Sequence, residues 1–329
     1  MASGPSSIFR DSEPTARVEP FPARRLTDVQ PQPVEQLWLI DDLWLAQGVG
    51  ILCGAPKLGK TFLAAQIALA VAGHTEVLGR AARLSGPVLF YGAEDRLHAL
   101  RTRFDGLALV AGVSVDELPI YLLDTPTLRI DREDDLLRLR AAIEVHQPRL
   151  LVLDPFIRMV RIDENSAGDV SAVLASLRAI QRDYGLAVLL VHHARKSPAS
   201  HPQNALRGSS DFAAWSDSNL YLTRSQHRLC LSVEHRNAPA PEPLSVRLCA
   251  DPAPHLKLTA PNSPEPETTD VIQTELLCLL SETPRPLSTL DLRQRLRKRK
   301  ADVVRTLETL RLRGIIDRTA GGWHIKGED

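Results

Sequence analysis

Eight residues constrain this chain more than any others: Gly54-Ala55-Pro56-Lys57-Leu58-Gly59-Lys60-Thr61, which fit GxxxxGK[ST]. The stretch before them, Val49-Gly50-Ile51-Leu52-Cys53, is a short apolar run that reads as a buried strand. The stretch after them, 62–72, is rich in Ala and Leu, lacks Pro and Gly, and reads as a helix. Between a strand and a helix, such a loop points its backbone N–H groups inward, and the helix adds the positive end of its dipole. The segment 54–61, with Phe62 behind it, is therefore expected to cradle the phosphates of ATP. In this reading Lys60 neutralises the outer phosphates and Thr61 offers its hydroxyl to Mg²⁺.

The rhythm downstream agrees with that beginning. Apolar runs at 87–91, 120–123, 150–153 and 187–191 alternate with helical patterns over 97–111, 134–145 and 170–184. Continuous apolar strands between amphipathic helices predict an α/β fold with a parallel sheet covered on both faces. From about Leu220 the runs 219–223, 228–233 and 244–248 alternate more, which predicts an antiparallel extension of the sheet.

Two carboxylate motifs follow from the same strands. Leu150-Leu151-Val152-Leu153-Asp154 is an apolar strand ending in an acid, and Asp154 is the expected second holder of Mg²⁺. Val88-Leu89-Phe90-Tyr91-Gly92-Ala93-Glu94-Asp95 ends a strand, turns, and presents two acids. Hydrolysis needs a carboxylate that polarises the attacking water; Glu94 is the first candidate and Asp95 the second. The competing reading is that these acids cap the next helix at its positive end. The strand at 187–191 runs into His192-His193, with Lys196 close behind. Neighbouring residues of a strand face opposite ways, so one histidine is expected to reach the nucleotide.

The ends of the chain read differently. Residues 1–34 contain six prolines and no sustained periodicity, and read as a flexible tail ahead of an ATPase domain at 35–260. A proline-containing linker is expected at 261–269, followed by a small domain at 270–329. There, helices are predicted over 271–280, 288–296 and 301–312. Ser288-Thr289-Leu290-Asp291 resembles a capping box, and Val304, Leu307 and Leu310 are placed on one apolar side. Ile315-Ile316-Asp317-Arg318 and Trp323-His324-Ile325 then read as a hairpin, completing a winged helix. Residues 271–329 of this segment hold twelve Lys and Arg against eight Asp and Glu, although the whole chain balances at 40 against 40. Arg297, Lys298, Arg299, Lys300 and Arg305 are its candidate contacts to DNA phosphates.

Composition excludes other classes. No apolar run is long enough to span a bilayer, and the N-terminus shows no continuous signal-peptide core. The four cysteines are scattered without CxxC spacing, so neither a zinc site nor a disulfide framework is expected, and the expected location is cytoplasmic.

Taken together, these motifs resemble the RecA-like ATPases, and in particular the RepA-type hexameric helicases of plasmids and their relatives in mobile elements. The resemblance spans roughly residues 36–255. It rests on Trp38-Leu39-Ile40, the 54–61 loop, Tyr91-Gly92-Ala93-Glu94-Asp95, Val152-Leu153-Asp154-Pro155, Val191-His192-His193-Ala194-Arg195-Lys196 and Leu206-Arg207-Gly208-Ser209-Ser210. It implies a homo-oligomer, a hexamer, with ATP between subunits. It also implies that Glu94 activates water, Asp154 binds Mg²⁺ and His193 is the strand-end sensor. An arginine from the neighbouring subunit is also implied. Arg207 and Arg236 compete for that role; Glu234 stands where replicative helicases carry a lysine. The polar loop 197–205 falls where such proteins face DNA, but it is not notably basic.

Three functions are consistent with these features. One is an ATP-driven motor on single-stranded DNA, with duplex contacts through the winged helix. Another is an ATP-dependent DNA-binding regulator or assembly factor. The third is a recombination-type ATPase that forms filaments on DNA.

Overall fold

A computed structural model describes residues 21–31, 33, 36–161, 167–193, 210–225, 228–259, 268–283, 285–296, 298–319 and 321–326. The chain divides into two units, Met1–Pro33 and Val34–Asp329. In the first, Leu26–Asp28 forms one 3₁₀ turn that buries nothing.

The second unit begins with a small hairpin, β1 (Trp38–Ile40) and β2 (Trp44–Leu45), and then enters the loop-bearing strand β3 (Val49–Gly54) and helix α1 (Lys60–Gly73). A second small hairpin follows, β4 (Glu76–Val77) and β5 (Arg80–Ala81). After it come β6 (Val88–Gly92), α2 (Leu97–Ala111), β7 (Ile120–Leu122) and α3 (Glu133–His146). The chain continues through β8 (Leu150–Asp154), α4 (Ala167–Tyr184), β9 (Ala187–His193) and the short α5 (Ser210–Trp215). Four strands close the sheet: β10 (Ser218–Ser225), β11 (Arg228–His235), β12 (Leu244–Cys249) and β13 (His255–Leu258).

These make one nine-stranded sheet in the order β13-β12-β11-β10-β3-β9-β8-β6-β7. Strands β7, β6, β8, β9, β3 and β10 are mutually parallel, and β11 to β13 extend the sheet antiparallel. The sheet is large, parallel-dominated and set among helices, the α/β arrangement that the alternating pattern predicts. The central strands are buried on both faces because helices cover both. Leu52 of β3 joins a core with α1 and α2, whereas Val49, Ile51 and Cys53 join a second core with α3, α4 and α5.

Two expectations for the sheet need correction. The run at 219–223 belongs to β10, which pairs parallel with β3, so the antiparallel extension starts one strand later. Alternation along a strand reports which face is buried and carries no information on direction. The extension also includes a strand outside the expected runs, β13, preceded by Pro252 and Pro254 and exposed at Lys257 and Leu258.

Beyond the sheet, α6 (Thr268–Ser281), α7 (Thr289–Leu296), α8 (Lys300–Leu312) and the hairpin β14 (Ile316–Thr319) and β15 (Gly322–Ile325) share a core around Leu276, Leu292, Leu307 and Trp323. Helix α6 already includes Thr268 and Thr269, which shortens the expected 261–269 linker. The capping box is present in both directions: the Asp291 N–H donates to Ser288 Oγ at 3.1 Å, and the Ser288 N–H donates to Asp291 Oδ2 at 3.2 Å. On α8 the buried apolar residues are Val303, Leu307 and Leu310, with Thr306 buried among them and Val304 exposed. The i, i+4, i+7 spacing keeps a side chain on one face of a 3.6-residue helix, whereas three-residue steps drift off it. Among the described residues, no helix is long and apolar enough to cross a membrane.

Strand β3 lies unusually close to its neighbour. A Cβ added at Gly50 would sit 1.7 Å from the Ser218 carbonyl oxygen, which is backbone and cannot swing away. Gly50→Ala is therefore expected to lower the unfolding free energy by about 3 kcal/mol. Chemical denaturation checks this; an unchanged midpoint would show that β3 and β10 can separate at no cost.

Candidate nucleotide site

All six parallel strands point their C-terminal ends to one edge of the sheet. Four of these ends are adjacent: Gly54 pairs in register with His193, and Gly92 with Asp154, while β8 lies beside β9. The loop after β3, the acids after β6, the Asp154 carboxylate and the His193 ring are thus carried to one place by the sheet alone. The turn after β6 is tied there as well, since the Ala93 N–H donates to the Asp154 carbonyl at 2.7 Å.

Within the loop, Lys57 and Gly59 take positive φ angles, 65° and 92°. A side chain at Gly59 would be strained by that backbone and would also meet Leu256 Cδ1 at 3.2 Å. Ala55, Pro56 and Lys57 are exposed, whereas the side chains of Leu58 and Phe62 turn into the core. The Phe62 ring packs in the same core as Leu58, so any contact of Phe62 with a nucleotide would fall to its backbone N–H at the start of α1. Lys60 is 4 % exposed, and its Nζ donates to the Ala55 carbonyl at 2.9 Å across the loop. Burial lowers its pKa, and the nearby Asp154 carboxylate opposes that shift.

Asp154 is buried, and burial pushes its pKa up to about 6 against a hydrogen bond from the Thr61 hydroxyl. Thr61 and Asp154 therefore already face each other. Two hard oxygen donors beside a buried cation, under a loop of backbone N–H groups, fit a magnesium-bound triphosphate. His193 adds a further polar atom: its Nδ1 is buried with no hydrogen-bond partner. Its pKa is lowered first by burial and then by Lys60, while Glu94 opposes. His192 faces the other way, its ring against Phe212 at 4.7 Å and Phe156 at 6.2 Å.

The two acids after β6 separate. Glu94 stays half-exposed and accepts a hydrogen bond from Arg158 Nε at 2.7 Å. Asp95 turns inward and binds the buried Arg103 at 2.6 and 3.5 Å. Neither caps α2, whose N-cap is Arg96 without a side-chain cap bond.

Arg236 lies just past β11, beside Ser218 and Gly50, at the sheet edge opposite the loop. Its guanidinium donates to the Ala214 carbonyl and lies 4.0 Å from Asp217. Arg207, Arg297 and the loop 197–205 fall outside the described residues. Of the other basic candidates, Arg299, Lys300 and Arg305 are exposed, Arg305 with Asp302 at 3.6 Å, and Lys298 is paired with Glu275 at 3.4 Å.

Sequence reasoning missed two neighbours of the site. One is Arg103. The other is the end of α6, where Cys278 joins the core of α1 and α2 and donates to Glu282 at 3.4 Å. Glu282 keeps solvent access, yet the protein packed around it raises its pKa, with Arg103 and Lys57 opposing. No local pattern marks either residue, because both are brought in by long-range packing.

The buried Asp154 makes stability depend on pH. Its native pKa lies above the ordinary 3.8, so the advantage of the protonated folded state is full below pH 3.8 and is lost as pH rises through about 6. Asp154→Asn is expected to stabilise the nucleotide-free protein at pH 7 by about 3 kcal/mol, with the gain vanishing below about pH 4. Thermal unfolding at the two pH values checks this, and an equal effect at both would contradict it.

A sequence profile for an AAA domain matches residues 12–199. Among solved structures, the chain is similar to a DnaB-like replicative helicase studied with its interactions with primase, at a TM-score of 0.49 and 12% identity, over 62% of this chain and 56% of that one. The chain thus spans little more than half the length of that helicase. It is also similar to a KaiC-like protein from the hyperthermophilic archaeon Pyrococcus horikoshii OT3, at a TM-score of 0.46 and 16% identity, over 68% and 94% of the two chains. Because the profile covers more than half of the sequence and carries the phosphate loop within it, the protein belongs to this AAA domain family.

Proposed function

We propose that this protein is an ATP-hydrolysing, oligomeric, DNA-associated motor of the RepA type, acting in replication or mobile-element maintenance. The observation that carries the reading is the convergence of Lys60, Thr61, Asp154, Glu94 and His193 on one sheet edge.

The roles follow from position. The loop from Gly54 to Thr61 holds the phosphates, with Lys60 released from the Ala55 carbonyl to meet them. Thr61 and Asp154 would hold Mg²⁺, which would supply charge neutralisation at the phosphate oxygens. Glu94, oriented by Arg158, polarises the attacking water, and His193 senses the terminal phosphate. A trans arginine comes from Arg207 or Arg236. Arg236 lies far from its own chain's loop, so in this scheme it serves a neighbouring copy in the ring. Helices α6 to α8 with the β14–β15 hairpin act as a winged helix, presenting Arg299, Lys300 and Arg305 to duplex phosphates. Single-stranded DNA passes through the ring.

A second reading has its own support. The end of α6 lies beside Lys57 and Arg103, and Glu275 of the same helix binds both Lys298 and Arg224. Nucleotide state could thereby control the basic segment, making the protein an ATP-dependent DNA-binding regulator.

The deciding measurement is ATPase rate with and without single-stranded and duplex DNA, together with light-scattering mass with and without Mg-ATP. A motor shows stimulation by single strands and a closed ring. A regulator shows turnover indifferent to DNA, with ATP changing only assembly or duplex affinity. In either case Lys60→Ala is expected to abolish nucleotide binding or turnover. Glu94→Gln should cut turnover by about 100-fold or more while trapping an ATP-bound assembly. Normal turnover in the Glu94 variant would remove it from the mechanism.

A further inference from the structure

Arg103 is a buried arginine without an obvious reason to be there. Only 5% of its side chain is exposed. Burying a guanidinium is costly, and a buried ion pair is seldom a better stabiliser than an apolar side chain of the same size. Its placement explains it better than stability does. The guanidinium grips both oxygens of Asp95, at 2.6 and 3.5 Å. Its carbon lies 4.9 Å from the centre of the Phe62 ring, so it also stacks on the first turn of α1. Its charge further reaches the Asp154 carboxylate. One side chain thus touches the residue after Glu94 and the residue after Thr61, and acts on the acid at the end of β8.

We propose that Arg103 is a positioning residue: it locks the turn that carries Glu94 onto the first turn of α1, and so fixes the distance between the water-polarising carboxylate and the phosphate loop. This rests on the reading of Glu94 given above. A planar fork with a stacked face suits this place, because an ammonium is a point charge that does not hold the two Asp95 oxygens and the Phe62 face together in one fixed geometry. Displacements of about 1 Å at a reacting pair can cost about 100-fold in rate.

The test uses the full chain and four variants: Arg103→Lys, Asp95→Asn, these two combined, and Glu94→Gln. Turnover, KM for ATP, affinity for a fluorescent ATP analogue and melting temperature are measured for each. Arg103→Lys is expected to lower kcat by about 10- to 100-fold while leaving nucleotide affinity within about threefold. Asp95→Asn should give a similar loss, and the double variant should lose no more than either alone. Wild-type kcat in Arg103→Lys would overturn the proposal. So would a loss of kcat and nucleotide affinity together, in step with the melting temperature, since that marks a purely structural staple. Glu94→Gln separates the two levels. If it keeps full turnover, the reading of Glu94 fails; if it is inactive while Arg103→Lys is normal, only the role of Arg103 fails.

Discussion

A lysine and a carboxylate are buried together at the end of an apolar sheet, and most of the surrounding structure can be understood as the means of keeping them there. Lys60 and Asp154 each lose water, and burial pushes each toward its neutral form. Each also opposes the shift of the other. The remaining compensation is local: a loop carbonyl for the lysine, the Thr61 hydroxyl for the acid, and Arg103 beyond them. Such an arrangement is tolerable only on a rigid frame, and the six parallel strands provide it. The unfavourable electrostatics of such a site are of the kind that a ligand of high negative charge and its cation would relieve.

How much of this could be read from the sequence depends on how local each feature is. The phosphate loop is contiguous and defined by backbone, so eight residues suffice. The buried strands were legible because a strand covered on both faces has no polar side to interrupt its apolar run. The helical pattern over 97–111 matches α2, and Gly112, with φ of 70°, ends it in the left-handed conformation. Where the structure goes beyond the sequence reading, the cause is pairing at a distance. The direction of β10 depends on β3, some 170 residues earlier. Arg103 looks like an ordinary helix-surface cation until the fold sets Asp95 and Phe62 around it. The end of α6 shows no sign in its own pattern that it will pack beside a loop over 200 residues away.

The C-terminal segment therefore does two things at once in this structure. It closes its own small core around Trp323, and through Cys278 it joins the core that supports α1. Glu275 repeats the theme farther along α6, bridging Lys298 to Arg224 near the end of β10. The basic surface and the nucleotide edge thus share one helix.

Gln66 illustrates how the apolar helix α1 also finishes the sheet. Its side-chain amide donates to the Leu256 carbonyl at 3.0 Å and accepts from the Leu256 N–H at 2.8 Å. At Leu256 an amide side chain thus takes the backbone bonds that a further strand would make. The outer edge of β13 is thereby blocked at that residue, where an open edge would otherwise offer its backbone to a strand from another molecule.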